Sequence, residues 1–228
     1  MTNLLVNPAA FASRDDTERI QRALDTYDED KAAAVAEQLA VQGTWHVPTL
    51  VRLRTMELAG APEYECDELL NYMPARNIKR WRKVTAKFLA MPAPSQATYR
   101  DLYPRQLTLA KLFCDSGVRM MTGTDGGAML GPGLTLHQEF LELAAAGISP
   151  LRILQMTTID PADYLGRRDT MGTVEPARNA DLVVLDANPL DDAANLNRIN
   201  AVVRAGRHYS ATELADLKAR VASGAGVA

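Results

Sequence analysis

At 228 residues the chain is long enough for one large domain or two small ones, with a substantial buried core. Hydrophobic residues make up 47% and charged residues 23%, with no long polar tract, which excludes a disordered chain. Twenty-five basic residues against 28 acidic ones give a net charge of −3. The lone basic cluster, Lys79-Arg80-Trp81-Arg82-Lys83, falls short of the sustained basic face that nucleic acid requires and suits the solvated side of a helix.

The two cysteines, Cys66 and Cys114, are too few for a disulfide scaffold and match no metal or redox spacing, so buried free thiols are expected. The first eight residues lack a basic segment followed by a sustained apolar run, so no signal peptide is expected. No stretch approaches the roughly 20 apolar residues of a membrane helix. A cytoplasmic protein that engages neither membrane nor nucleic acid is the expectation.

In chain order, Ala33, Val35, Ala36, Leu39 and Ala40 recur at helical spacing within 30–42, and Gly43 follows as a stop. Thr44 to Val51 reads as a strand, although Pro48 cannot donate to a ladder and is a candidate end for it. Residues 67–90 read as helical with a restart near Pro74, and 91–95 as a loop. The stretch between 53 and 94 suits either a lid or a cover over the flank of the fold.

The segment 101–116 reads as a helix with Leu102, Leu109, Leu112 and Phe113 inward, closed by Gly117, and 118–124 as a buried strand. A helix over 134–146 stops at Gly147. Ser149-Pro150 then supplies a cap and a first-turn proline for 151–158, and Asp160-Pro161 repeats the device for a short helix ending at Gly166. Helix and strand alternate over 31–166, the grammar of an α/β fold with parallel strands.

After Gly166 the pattern changes. Residues 171–175, 181–186 and 201–209 read as short strands of an antiparallel unit, with turns at Asn188-Pro189 and Ala205-Gly206. Val174, Leu182, Val184 and Val202 are its expected core positions. Ser210 caps a final helix, with Glu213 completing a capping box.

The sharpest chemical feature is Thr122-Gly123-Thr124-Asp125-Gly126-Gly127, a carboxylate where a predicted parallel strand ends. Alone, an aspartate before two glycines is also an ordinary turn residue. The ordered set around it adds context: Val47-Pro-Thr-Leu50, Gly123-Thr-Asp125, Leu136-His-Gln-Glu139, Thr157-Thr-Ile-Asp-Pro-Ala162 and Met171-Gly-Thr-Val174, then Ala180-Asp-Leu-Val-Val-Leu-Asp186, Asn188-Pro-Leu190 and Val202-Val-Arg-Ala-Gly206. In this order and spacing, from about residue 31 to 210, the chain resembles the amidohydrolase superfamily, in particular its imidazolonepropionase-like and prolidase-like branch.

The resemblance implies an α/β fold, the C-terminal part of a metal-dependent hydrolase (β/α) barrel with a small appended β-sandwich portion. Its division would be 1–166 for the last two barrel strands and their helices, 167–210 for the composite β-sandwich portion and 211–228 for a C-terminal helix and tail. It implies hydrolysis of C–N bonds in amides, cyclic amides or dipeptides. Asp125 matches the family's aspartate after the last barrel strand, which the resemblance makes both a metal-site residue and the catalytic group that holds the metal-bound water, takes its proton and passes it to the leaving group.

The family's other metal ligands are a His-x-His, a carboxylated lysine or a glutamate, and two further histidines, all upstream of the Val47-Pro-Thr-Leu50 element. The three histidines here, His46, His137 and His208, form no His-x-His. A catalytic zinc needs about three protein ligands. The expectation is therefore a chain that does not bind its divalent metal tightly by itself and is inactive alone, with a polypeptide carrying the N-terminal half-barrel, or self-association, covering the open edge. A non-catalytic assembly partner and a truncated reading frame are the alternatives.

His46 is a candidate to line a substrate pocket, or a strand histidine satisfied by backbone. His137, heading the helix after Asp125, is a candidate substrate contact. His208 reads as surface, and Trp45 and Trp81 as packing residues.

Overall fold

The computed structural model describes residues 16–57, 59–61, 68–125 and 134–224. Cys66, Asp67, Gly126 and Gly127, as well as the two ends of the chain, lie outside the described residues. Helix α1 (Asp16–Asp25) precedes α2 (Glu29–Val41), whose first turn is capped by Asp28 accepting from the Lys31 N–H. Next come β1 (Trp45–His46), α3 (Leu50–Glu57), a 3₁₀ turn (Glu68–Tyr72), α4 (Ala75–Leu89), α5 (Ala93–Asp115) and β2 (Arg119–Met120). Then follow α6 (Leu134–Ala145), α7 (Pro150–Thr157) and α8 (Ile159–Tyr164).

The two helices that feed strands end alike. After α2 the N–H of Gly43 reaches Ala40 O and that of Thr44 reaches Leu39 O. After α5 the N–H of Gly117 reaches Cys114 O and that of Val118 reaches Phe113 O. This is the Schellman arrangement, which needs a left-handed residue, and Gly43 (φ 66°) and Gly117 (φ 77°) supply it without a Cβ clash. The chain is thereby turned from each helix straight into β1 and β2. These pair in parallel, Trp45 opposite Arg119 and His46 opposite Met120.

The strands are shorter than the sequence predicts. The run 44–51 contributes Trp45–His46 and the run 118–124 contributes Arg119–Met120. In the first run Pro48 has no N–H for a ladder, Thr49 takes a left-handed backbone (φ 52°), and Leu50 already begins α3. In the second, Met121 still donates to His46 O, whereas the Thr122 N–H turns away to Met156 O of α7.

The expected loop at 91–95 is likewise corrected, because α5 starts at Ala93. Pro94 sits in its first turn, where a missing N–H costs nothing. Helix α8 begins at Ile159, so Pro161 is its third residue and not its first. The basic cluster falls as expected on α4, with Trp81 buried and Lys79, Arg80, Arg82 and Lys83 exposed.

The core surrounds β2. Phe113 and Ala110 of α5, Val118, Met120, Phe140 and Leu143 of α6, and Ile153 and Met156 of α7 form one buried cluster. Ala193 and Leu196, from a 3₁₀ turn (Ala193–Asn197), join it. Helix α5 is the central strut, packing on α1, α2, α3 and α6. Cys114, partly buried on it, is a free thiol.

The C-terminal sheet is antiparallel in the order β3 (Leu182–Leu185), β4 (Ile199–Arg204), β5 (Arg207–Tyr209), followed by α9 (Ala211–Ala222) with its Ser210–Glu213 capping box. Residues 171–175 form bends rather than the predicted strand. Val174 is 84% exposed and Val184 47%, so neither is a core position; Ala201 is buried instead and Leu185 packs half-buried against the core. Leu182 and Val202 are half-buried.

The bend is explained by Gly172. Its φ is 96°, and a Cβ there would lie 2.8 Å from Ala162 Cβ and 3.1 Å from Thr158 O, on the start of α8. Gly172→Ala should therefore lower the unfolding free energy by about 2 kcal/mol or more, combining strain with overpacking. Gly206→Ala (φ 79°, no atom within 4 Å) should cost only about 1 kcal/mol of strain. Urea denaturation of the two variants checks the contrast.

Candidate functional site

Residues 47–52 and 121–125 leave β1 and β2 at the same end of the parallel pair. The two segments touch: Val47 crowds the Cα of Gly123 so closely that a Cβ there would collide with Val47 Cγ1. Each also carries a left-handed residue that is not glycine, Thr49 (φ 52°) and Asp125 (φ 46°). Asp tolerates this region, but a β-branched threonine there is an outlier that its surroundings must enforce.

Directly after Thr49, the first turn of α3 meets Glu139 on α6. This glutamate is fully buried, and its two carboxyl oxygens accept the N–H groups of Leu50 (3.1 Å) and Val51 (2.8 Å). These are orphan donors at the start of α3. Burial pushes the Glu139 carboxyl up to about 8, with the two backbone N–H bonds opposing that rise and the Glu142 charge adding to it. One turn further on, buried Glu142 accepts from the Tyr103 hydroxyl of α5 and pairs with Arg54 of α3 at 2.8 Å. Helix α3 is thus held by carboxylates of α6 at both its first and second turns.

From that first turn Arg52 reaches Asp125, and the two form an ion pair at the half-exposed rim. Arg52, Glu139 and Thr49 were not singled out as site residues in the sequence. The available signal was Glu139 itself, a carboxylate in register with Leu136 and Leu143 on the apolar stripe of an amphipathic helix.

The structure places the three histidines elsewhere. His46 lies on the helix-facing side of β1, its ring edge-on to Phe113 at 5.2 Å. Its Nε2 is buried with no hydrogen-bond partner among the described residues. Desolvation lowers its pKa to about 4, so it stays neutral near pH 7. His137 stacks on Phe140 at 6.1 Å, and its carbonyl accepts from Asn197 at 3.4 Å. Burial, with Lys218 contributing, also lowers its pKa. Among the described residues no hydrogen bond, ion pair or ring contact joins either histidine to Asp125. His208 is exposed on β5.

A divalent metal of the kind the resemblance implies requires about three protein ligands. Among the described residues no group of three or more His, Cys, Asp or Glu side chains is arranged to hold one, and the Asp125 carboxylate is engaged by Arg52. These residues do not fit a complete metal site. Nor is any helix among the described residues long and apolar enough to cross a membrane.

The model of the Amidohydrolase family matches residues 15–209. The 5-methylthioadenosine/S-adenosylhomocysteine deaminase of Teredinibacter turnerae is 26% identical over 180 residues, covering 71% of this chain and 40% of its own. The imidazolonepropionase of Treponema denticola is 27% identical over 179 residues, 73% of this chain and 42% of its own. The chain therefore spans about two fifths of the length of these curated relatives. The solved structure of a bottromycin amidohydrolase shares the fold, with a TM-score of 0.73 and 23% identity over 97% of this chain and 47% of that one.

The Glu139 environment predicts a pH dependence. Its folded-state value of about 8 lies above the ordinary carboxylate range, so the folded form holds the proton more tightly than the unfolded form. The associated stability is fully present below the unfolded pKa and is lost as pH rises through about 8. Urea midpoints measured from pH 5 to 8 should fall for the native chain, with a slope of at most about 1.4 kcal/mol per pH unit. Glu139→Gln should flatten that slope, and an unchanged slope in this variant would contradict the assignment.

Proposed function

Because the chain belongs to the amidohydrolase family, we propose that it forms the C-terminal half of a (β/α)-barrel hydrolase of C–N bonds and contributes Asp125 as the proton-transferring carboxylate. The observation that carries this reading is the parallel β1–β2 pair with Asp125 at the end where both chains leave it. In such folds reacting groups collect at that edge. Residues 167–210 form the appended β portion in this reading, and 211–228 the closing helix and tail. The relatives, a deaminase and an imidazolonepropionase, favour a small amide, cyclic amide or amidine-like substrate.

The carboxylate of Asp125 takes a proton from the attacking water and returns it to the departing nitrogen, ordinary general acid–base work for such a group. Any zinc or other divalent metal would have to be ligated by residues outside those described. An N-terminal half-barrel polypeptide, or a second copy of the chain, covers the open edges of β1 and β2, since a two-stranded parallel pair does not stand alone. His46 and His137, packed on Phe113 and Phe140, are assigned packing roles rather than substrate contact.

A second reading, a non-catalytic assembly partner, is favoured by the engagement of Asp125 with Arg52. The two readings separate on one experiment. The chain is co-produced with a polypeptide supplying the N-terminal strands and assayed against cyclic amides, N-acyl amino acids and dipeptides. Turnover is expected in the assembly and not in the lone chain, with Asp125→Asn reducing it about 100-fold or more. Full activity of Asp125→Asn, or amidase activity with stoichiometric metal in the lone chain, would overturn the reading. An assembly that forms but never turns over would favour the non-catalytic partner.

A further inference from the structure

Three N–H groups of the turn that leads into α3 have identified acceptors, and two of them depend on a residue from another element. At a helix start the first N–H groups have no intrahelical partner. Here the N–H groups of Leu50 and Val51 are taken by Glu139 at 3.1 and 2.8 Å, and that of Arg52 by Thr49 O at 3.2 Å. The residue that opens this turn, Thr49, has the left-handed backbone (φ 52°) that a β-branched side chain resists. The residue that closes it, Arg52, carries the guanidinium that meets Asp125.

We propose that Glu139 is a positioning residue for this site: its buried carboxyl group pins the strained Thr49 turn and the first turn of α3, and so delivers Arg52 to Asp125. The proposal deepens the hydrolase reading and rests on it for the importance of Asp125, but the geometry can be tested without catalysis.

The chemistry of the group is specific. A carboxyl group, ionised or neutral, presents an oxygen with lone pairs to each of the two N–H groups, whereas the amide of a glutamine offers one oxygen and one NH₂ that cannot accept. Glutamine therefore keeps the volume of the side chain and loses one of the two bonds. A buried N–H left without an acceptor is costly, and the chain's cheapest escape is relaxation of the Thr49 turn, which also relieves its backbone strain. That relaxation swings the first turn of α3 and with it Arg52.

Glu142, three residues on, has a different task. It binds Arg54 and the Tyr103 hydroxyl, tying the second turn of α3 to α5 and α6. Neither of these two partners belongs to the Thr49 turn. The two carboxylates share a helix and a degree of burial, so Glu142 is the natural control for loss of stability alone.

The test uses nuclear magnetic resonance on the full chain. The Arg52 Nε–Hε signal is assigned by its loss in Arg52→Lys, and its ion pair by the shift it undergoes in Asp125→Asn. In Glu139→Gln this signal is expected to move toward its Asp125→Asn position. Amide exchange at Leu50 or Val51 should rise about tenfold, the size of one lost hydrogen bond. Glu142→Gln should lower the unfolding midpoint and leave the Arg52 signal in place.

An Arg52 signal unchanged in folded Glu139→Gln would overturn the proposal, because a purely structural glutamate predicts lower stability with the ion pair intact. Glu139→Gln is chosen over Glu139→Ala because it opens no cavity and so keeps the fold. In the two-polypeptide assembly, Glu139→Gln is further expected to lower kcat with little change in KM. Absence of turnover in every assembly would sink the hydrolase reading and leave the Arg52 signal to decide this one.

Discussion

A carboxyl group with no solvent exposure is costly to place in a core, and Glu139 is tolerated because two backbone N–H groups converge on it and burial raises its pKa to about 8. That contact joins residues 88 and 89 positions apart in the chain. It ties the helix after the second parallel strand to the segment leaving the first. Without it the Leu50 and Val51 N–H groups would lose this acceptor next to the left-handed Thr49 between β1 and α3. The rim on which Asp125 and Arg52 meet depends on this fastening.

The fastening also explains how a sheet of two short strands organises so many helices. The ladder of β1 and β2 alone is too small to specify the packing of α3, α5, α6 and α7. Much of the specification comes from the helices. Schellman ends at Gly43 and Gly117 aim the chain into the strands, Met120 and Val118 bury into the layer formed by α5, α6 and α7, and Glu139 and Glu142 clamp α3 from one side. Buried carboxylates at two successive turns of α6 give this interface a register that apolar contacts would not impose, since only one placement satisfies every donor.

The antiparallel sheet is less committed to the core. Val183 and Val184 are exposed at 57% and 47%, on a strand whose sequence suits a buried position. Polar contacts fix its geometry: Asp181 accepts from Arg204 and from the Ala205 N–H at the turn, and Asn200 donates to Asp186 across the pair. The register of this sheet is therefore settled even though its apolar side chains are only partly covered.

The amino-acid sequence by itself determined the alternation of helix and strand, the glycine stops, the Ser149 and Ser210 caps, the parallel β1–β2 pair and the Asp125 that follows it. Each of these rests on local geometry or on periodicity that a linear reading captures. Strand length lay beyond it, because a ladder ends where its partner does, and the Thr122 N–H finds Met156 rather than a neighbouring strand. So did the exposure of Val174 and Val184, which depends on what packs over them and not on their own hydrophobicity. The partners of Asp125 and Glu139 were likewise a tertiary decision. Arg52 lies 73 positions from Asp125, and Glu139 is one glutamate among many until two distant N–H groups are brought to it. Ion pairs and capping bonds act over a few ångströms, and only the folded chain sets which groups come within that reach.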